Sequence, residues 1–185
     1  MNSEYSESPR ILFQEVQQFR QPVLWVLLIF GSALISGTVS WMWLRQFIQG
    51  ESFAPDALSN PALLTFGALV LLSNALILGF FLFTQLQIEV STAGLFLRFF
   101  PLQRKVRMVD LTGVEQVEQS EIRPFQDYGG FGIRRVGQSK AYIIHGQEGV
   151  KLHYDNGMHL LISSQRADEL YEALKTLLQG EERDS

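Results

Sequence analysis

The chain has 185 residues, a formal net charge of −4 at pH 7 and no cysteine, which excludes disulfides, thiolate metal sites and cysteine nucleophiles. Its hydrophobic fraction of 46% is ordinary, but the apolar residues are concentrated in two charge-free runs, 21–44 and 57–88. Each run exceeds the roughly 20 residues that a helix needs to cross about 30 Å of hydrocarbon. Because the remaining residues are too few to bury both runs, the composition predicts a membrane protein.

The N-terminal segment, residues 1–22, has the pattern of a short amphipathic helix. Ser8 followed by Pro9 is typical of a helix start. The apolar residues that would share one helical face are Leu12, Val16 and Phe19. We expect this helix to lie at the membrane interface; the same pattern also fits a helix packed against the soluble part of the chain.

Two transmembrane spans are expected, at about 23–44 and 61–86, forming a hairpin over residues 23–86. Small residues recur at four-residue spacing in both spans, which lets helix backbones approach closely. These residues are Ser32, Ser36 and Ser40, the pair Ala33 and Gly37, and the pair Ala75 and Gly79. We expect the two stripes to face each other, with Asn74 hydrogen-bonded across to the serines.

Basic residues near the spans predict the orientation. Arg10 and Arg20 precede the first span, and Arg45 is the one basic residue between the spans. Four follow the second span: Arg98, Arg104, Lys105 and Arg107. We therefore expect both termini in the cytoplasm and a short loop, residues 46–60, on the other side.

Residues 87–185 show short stretches of alternating polarity that predict seven or eight antiparallel strands. Hairpin turns are expected at 92–94, at 137–139 and at 155–157, where the sequence is Asp-Asn-Gly. A strongly bent sheet or partly open barrel leaves an open corner that one terminal helix can close. The fold class is therefore predicted as an α+β membrane protein, with a transmembrane helix hairpin followed by an antiparallel β-barrel or sandwich and a C-terminal helix.

That C-terminal helix is predicted from its ends and its apolar stripe. Ser163 or Ser164 can cap its start, and Gly180 is expected to end it. Its stripe consists of Ala167, Leu170, Tyr171, Leu174, Leu177 and Leu178.

Several stretches resemble known bacterial proteins. Residues 88–100 resemble the strand–turn–strand opening of bacterial pleckstrin-homology-like (PH-like) domains. The stretches 123–135, 141–152 and 159–170 (RPFQDYGGFGIRR, AYIIHGQEGVKL and HLLISSQRADEL) are similar to a family of small uncharacterised bacterial membrane proteins with two spans. The resemblance covers nearly the whole chain and implies a PH-like domain over 87–185 and a location in the bacterial cytoplasmic (inner) membrane. It implies no activity.

The histidines do not form a recognisable catalytic or zinc-binding pattern, so we expect no enzyme activity, cofactor or metal. His153 and His159 would face each other if 155–157 form a three-residue loop with Gly157 left-handed, and the pair would then offer a position for a metal. A two-residue turn would send them to opposite faces. Surface histidines without a function are the favoured interpretation.

The glycine-rich segment 123–135 is the candidate binding site. It lacks the Gly-Lys-Ser/Thr of a P-loop, and from residue 87 onward the 12 basic and 14 acidic residues leave a net charge of −2, which argues against nucleic acid. Near an anionic membrane its cations and aromatics suit a lipid headgroup; alternatively, the glycines only permit a bend, the aromatics pack on the core and the arginines are solvated. The candidate residues are Arg123, Phe125, Tyr128, Gly130, Phe131, Arg134 and Arg135.

From these patterns we expect a non-catalytic, membrane-anchored interaction module whose β domain contacts a protein partner or a second copy of the chain. The alternative is recognition of lipid headgroups or a small ligand through the segment 123–135. Partners are thus the membrane, a protein and anionic lipid, with no nucleic acid.

Overall fold

An N-terminal strand precedes two long apolar helices, and eight more strands and a C-terminal helix follow them. The computed structural model describes residues 9–48, 50, 59–145 and 147–184. The chain divides into two units. The helical unit is Arg20–Phe83, and the β unit combines Met1–Phe19 with Thr84–Ser185.

In the helical unit, helix α1 (Pro22–Trp43) continues as a π-helical stretch (Leu44–Ile48), and helix α2 is Asn60–Phe83. Both helices are long and apolar enough to cross a membrane, and only 6% of the residues in each apolar window are buried. The core helix of a soluble protein would be mostly buried. The second helix ends at Phe83, three residues before the predicted end of the span at 86, because the next strand begins at Gln85. The predicted loop 46–60 lies largely outside the described residues.

Asn74 links the two helices as predicted. Its Nδ2 donates to the Ser32 hydroxyl at 2.8 Å and lies 3.4 Å from the Ser36 hydroxyl oxygen. The predicted close approach at Gly37 and Gly79 is wrong, since a Cβ added to either glycine would meet none of the described atoms within 4 Å. The amide side chain of Asn74, hydrogen-bonded to Ser32 and Ser36, therefore links the helices here in place of the expected small-residue seam.

The helices approach closely at another glycine, Gly67. The indole ring of Trp43 occupies the space that a Cβ on Gly67 would take, 2.6 Å from its nearest ring atom. The indole Nε1 also donates to the Leu63 carbonyl at 3.4 Å. The large ring fills the gap that the glycine leaves, so large-on-small packing joins the helices here.

In the β unit, the N-terminal segment forms strand β1 (Ile11–Gln18), so the predicted amphipathic helix is wrong. β1 pairs antiparallel with strand β2 (Gln85–Ser91), from Ile11 opposite Ser91 to Gln18 opposite Gln85. The buried residues of β1 alternate and include two polar side chains: Phe13, Glu15 and Gln17. Because polar residues occupy the inward positions, the period of two is hidden in the sequence.

The first sheet has the order β1-β2-β3-β4, with β3 at Gly94–Phe100 and β4 at Arg107–Val109, and all neighbours are antiparallel. The predicted hairpin at 92–94 is confirmed. The inward side chains of β2 and β3 are almost completely buried, and they are Leu86, Ile88, Val90, Leu95, Leu97 and Phe99.

The second sheet contains five strands in the order β5-β8-β9-β7-β6. The strands are β5 (Val114–Glu121), β6 (Gly132–Val136), β7 (Ser139–Ile143), β8 (Glu148–Tyr154) and β9 (His159–Ser163). β7 and β9 run parallel, which differs from the predicted antiparallel pattern. The consecutive strands β7 and β8 are not neighbours in the sheet, because β9 lies between them. The described strands form two separate sheets and not a closed barrel.

The C-terminal helix α4 (Ala167–Asp184) packs against β1 and β2 of the first sheet and β5 and β8 of the second. Leu170, Leu174 and Leu177 of the predicted stripe are buried. The helix continues through Gly180, contrary to the prediction. Glycine permits a left-handed stop without requiring one, and inside a helix it costs only about 1 kcal/mol relative to alanine.

Polar side chains of β1 tie that strand to the start of α4. The Glu15 carboxylate accepts hydrogen bonds from the Ser164 hydroxyl at 2.5 Å and from the Gln165 N–H at 2.9 Å. The Gln17 amide donates to the Ser163 carbonyl at 2.6 Å. The two buried polar residues of β1 therefore both have hydrogen-bond partners next to α4. The Glu15 carboxylate is also favourable because it lies near the positive end of the helix dipole.

Candidate functional site

The segment 123–135 folds as a single helical turn, α3 (Pro124–Tyr128), followed by a glycine bend into β6. Gly129, Gly130 and Gly132 have φ angles of 68°, 123° and 102°. The Gly130 N–H donates to the Pro124 carbonyl at 2.7 Å. Residues other than glycine rarely adopt these φ values, so the backbone can follow this path only with glycine at these positions.

Two of the three aromatic residues in this segment pack inward. Tyr128 and Phe131 cover a hydrophobic cluster on the second sheet, made of Ile122, Ala141, Ile143 and Leu161. Burial, and then the nearby Asp127 carboxylate, raise the pKa of Tyr128. Phe125 meets the Phe131 ring edge-on at 5.3 Å between centroids and remains 72% exposed.

The three arginines of the segment have different surroundings. Arg134 Nε donates to the Phe131 carbonyl at 2.8 Å, and its guanidinium lies over Gly130. Arg123 is exposed at the start of α3. Arg135 is the next residue of β6 after Arg134, so the two side chains leave opposite faces of the strand. The structure thus brings together Phe125, Gly130, Phe131 and Arg134, and places Arg135 in a different site.

That different site is a groove of about 670 Å³ in the β unit. Three segments far apart in sequence line it: β4 with residues 110–112, the β6–β7 hairpin and the β8–β9 hairpin. Its charged lining residues are Arg107, Arg135, Lys140 and Asp110, and its larger apolar and aromatic ones are Met108, Tyr142, Tyr154, Met158 and Leu160. Three cations and one carboxylate among the described lining residues give the groove a positive balance.

Hydrogen bonds and a cation–π contact order the polar groups of the groove. The Tyr154 hydroxyl donates to the Asp110 carbonyl at 2.9 Å. Hydrogen bonds from the backbone N–H and the side chain of Thr112 lower the pKa of Asp110. Burial, and then the Asp110 carboxylate, raise the pKa of Tyr154. The Lys140 ammonium lies over the Tyr142 ring, 5.0 Å from its centroid, in a cation–π contact.

His159 also lines the groove, and it pairs directly with His153 across the β8–β9 hairpin. The ring centroids are 4.6 Å apart, and Gly157 is left-handed with φ 76°, so the facing arrangement is confirmed. His153 Nε2 lies 2.9 Å from a carboxylate oxygen of Glu118. Within the described part of the chain, no group of three or more histidine, cysteine, aspartate or glutamate side chains is arranged to hold a metal ion.

The arrangement is suited to binding an anion that also has apolar or aromatic parts. The cations provide charge-assisted hydrogen bonds, and the partly exposed Tyr154, Met108 and Met158 provide contact area. Sequence reasoning identified Arg135 but missed Arg107, Lys140, Tyr142 and Tyr154. These residues converge through the pairing of distant strands, and the turn signals at 137–139 and 155–157 were the one sequence feature that marked two walls of the groove.

Comparisons with known proteins identify no relatives: no family description, no curated protein and no solved structure matches this chain.

Proposed function

We propose that this chain is a non-catalytic, membrane-anchored binding module. In this proposal α1 and α2 cross the bacterial cytoplasmic membrane, both termini are cytoplasmic, and the PH-like β unit binds a partner at the membrane surface. The low burial of both helices supports the anchor, since their large apolar side chains would otherwise face water. The connection between α1 and α2 is short, so the proposal assigns the binding site to the β unit.

The proposed ligand of the groove is an acidic segment of a partner protein. The observation that carries this proposal is the convergence of Arg107, Arg135 and Lys140 on one groove beside tyrosine and methionine side chains. An acidic segment with apolar residues matches both the charge and the lining. A second copy of the chain, with an excess of acidic residues, is one source of such a segment.

Site-specific photocrosslinking of the full chain in its native membrane tests the proposal. A crosslinking residue at Gln138, on the groove, should capture a protein whose crosslinked peptide is acidic. The same residue at Lys175, on the exposed face of α4, is the matched control and should not capture it. The double change Arg135→Glu/Lys140→Glu should reduce capture from position 138 about tenfold or more, because attraction becomes repulsion. Equal capture from 138 and 175, or capture unaffected by the charge reversal, would overturn the proposal.

The alternative, binding of lipid headgroups or a small ligand through 123–135, is supported by one observation. Phe125 exposes a large aromatic surface next to exposed Arg123. The double change Arg123→Glu/Phe125→Ala should then weaken binding of the β unit of the full chain to anionic lipid. If the groove is the functional site, this change leaves capture from position 138 unaffected.

A further inference from the structure

The connection between β3 and β4, residues 101–106 with the sequence PLQRKV, is an exposed loop. Leu102 and Val106 are 60% and 56% exposed although both are aliphatic. Arg104 and Lys105 lie between them and are also exposed, and the loop contains no acidic residue. Aliphatic side chains interleaved with cations are the combination that binds an anionic bilayer surface.

The strand register places this loop at a defined end of the first sheet. Phe100, the residue before the loop, pairs with Gln85 of β2, and Gln85 pairs on its other side with Gln18 of β1. Thr84 alone separates Gln85 from the last residue of α2, and three residues separate Gln18 from the first residue of α1. Neighbouring strands lie about 4.8 Å apart. The loop therefore starts beside the two strand ends that continue into the apolar helices.

The turn itself is held by a backbone hydrogen bond. The Gln103 N–H donates to the Phe99 carbonyl at 2.6 Å. Phe99 is buried in the core of the β unit, so the loop is attached to a fixed point of the first sheet. A loop with such an attachment can orient the β unit when it binds a surface.

We propose that residues 101–106 dock onto an anionic bilayer surface. Leu102 and Val106 enter the boundary between headgroups and acyl chains, and Arg104 and Lys105 bind lipid phosphates. The proposal rests on the membrane anchoring proposed above and is independent of what the groove binds. Docking adds a second attachment of the β unit to the membrane besides the covalent connections to α1 and α2. Each cation contributes about a fivefold change in affinity for such a surface, and the effect weakens at high salt.

Because the native chain contains no cysteine, one introduced cysteine can carry a fluorophore without background labelling. The full chain with Leu102→Cys, labelled with an environment-sensitive dye, is reconstituted in vesicles containing a nitroxide lipid with its quencher near the headgroups. Vesicles of phosphatidylcholine alone are compared with vesicles that also contain phosphatidylglycerol. The matched control is Val136→Cys in β6, a position that is 48% exposed. Docking predicts stronger quenching at position 102 in the anionic vesicles and no such increase at position 136.

A charge variant tests the role of the cations. In the Leu102→Cys chain, Arg104→Gln/Lys105→Gln should shift the balance toward the undocked state by about 25-fold, from two fivefold contributions. The control Arg10→Gln/Lys175→Gln removes the same charge elsewhere on the β unit and should leave the quenching unchanged. All four side chains are exposed, so the variants are expected to fold.

Equal quenching at positions 102 and 136, or quenching that responds neither to lipid charge nor to Arg104→Gln/Lys105→Gln, overturns the docking proposal. Alkaline carbonate extraction of the same vesicles separates this result from a failure of anchoring. A chain that is retained but unquenched at position 102 is anchored without docking. A chain that is extracted yet quenched in anionic vesicles docks through the loop without being an integral membrane protein.

Discussion

Replacing Glu15 by alanine should destabilise the β unit, because the carboxylate joins β1 to the start of α4. The change removes two charge-assisted hydrogen bonds, from Ser164 and Gln165. Such bonds contribute about 1.5–3 kcal/mol each when no water replaces them. Ser164 is buried, so the loss of its hydrogen bond costs the full amount, whereas water can replace the bond to the exposed Gln165. Adding about 0.3–1 kcal/mol for the helix dipole gives an expected loss of about 2–4 kcal/mol.

Amide hydrogen exchange of the full chain in detergent micelles measures this loss. The protected amides of α4, such as Leu170, should exchange about 30- to 700-fold faster in Glu15→Ala than in the native chain. Gln14→Ala is the matched control, since its side chain is exposed on the same strand, and it should change the stability by less than about 0.5 kcal/mol. Equal exchange in the two variants would refute the contact between β1 and α4 and would favour the amphipathic helix predicted from the sequence.

Three further changes have defined outcomes. Asn74→Leu removes the hydrogen bonds to Ser32 and should weaken the helical hairpin by about 1 kcal/mol in detergent unfolding; an unchanged midpoint would contradict this contact. Gly149→Ala forces a Cβ against the facing backbone carbonyl of β9 and should destabilise the β unit by about 1–3 kcal/mol, whereas Gly180→Ala, with no described neighbour within 4 Å, should be neutral or stabilising. Because the folded-state pKa of Tyr154 is raised above the unfolded value near 10, its stabilisation is present below pH 10 and is lost as the pH rises through the folded-state pKa. Above about pH 10, the stability of the native chain should therefore fall more steeply than that of Tyr154→Phe, and parallel curves would contradict the shift.

The elements that the sequence predicted well are those with local signals. The hairpin at 155–157 follows from Asp-Asn-Gly, and its register brings His153 opposite His159. The two apolar helices follow from length and composition alone. In both cases the controlling interactions lie within a few residues of each other, or within a single element.

The elements that the sequence did not reveal depend on distant contacts. β1 carries Glu15 and Gln17 at inward positions, so its alternation does not appear apolar, and its partner β2 lies about 70 residues further along the chain. The spacing of Leu12 and Val16 then fits a helix equally well. The groove has the same origin, since Arg107 and Lys140 come together only when two sheets have formed.

The segment 123–135 shows the limit of a composition argument. Three glycines, three aromatics and three arginines describe a binding loop and a tight bend equally well. The positive φ angles, and the packing of Tyr128 and Phe131 on the second sheet, show that much of this composition maintains the bend. Exposed Arg123 and Phe125 remain available for the alternative binding function.

The claim on which the proposals depend is that α1 and α2 hold the β unit on the cytoplasmic face of a membrane. Labelling of single cysteines with a membrane-impermeant maleimide in intact bacterial cells tests it directly. We expect Ser52→Cys, in the connection between the two helices, to be labelled in intact cells, and Val136→Cys, in the β unit, to be labelled only after the cells are permeabilised. Labelling of position 136 in intact cells, or recovery of the chain in the soluble fraction after lysis without detergent, would contradict the claim.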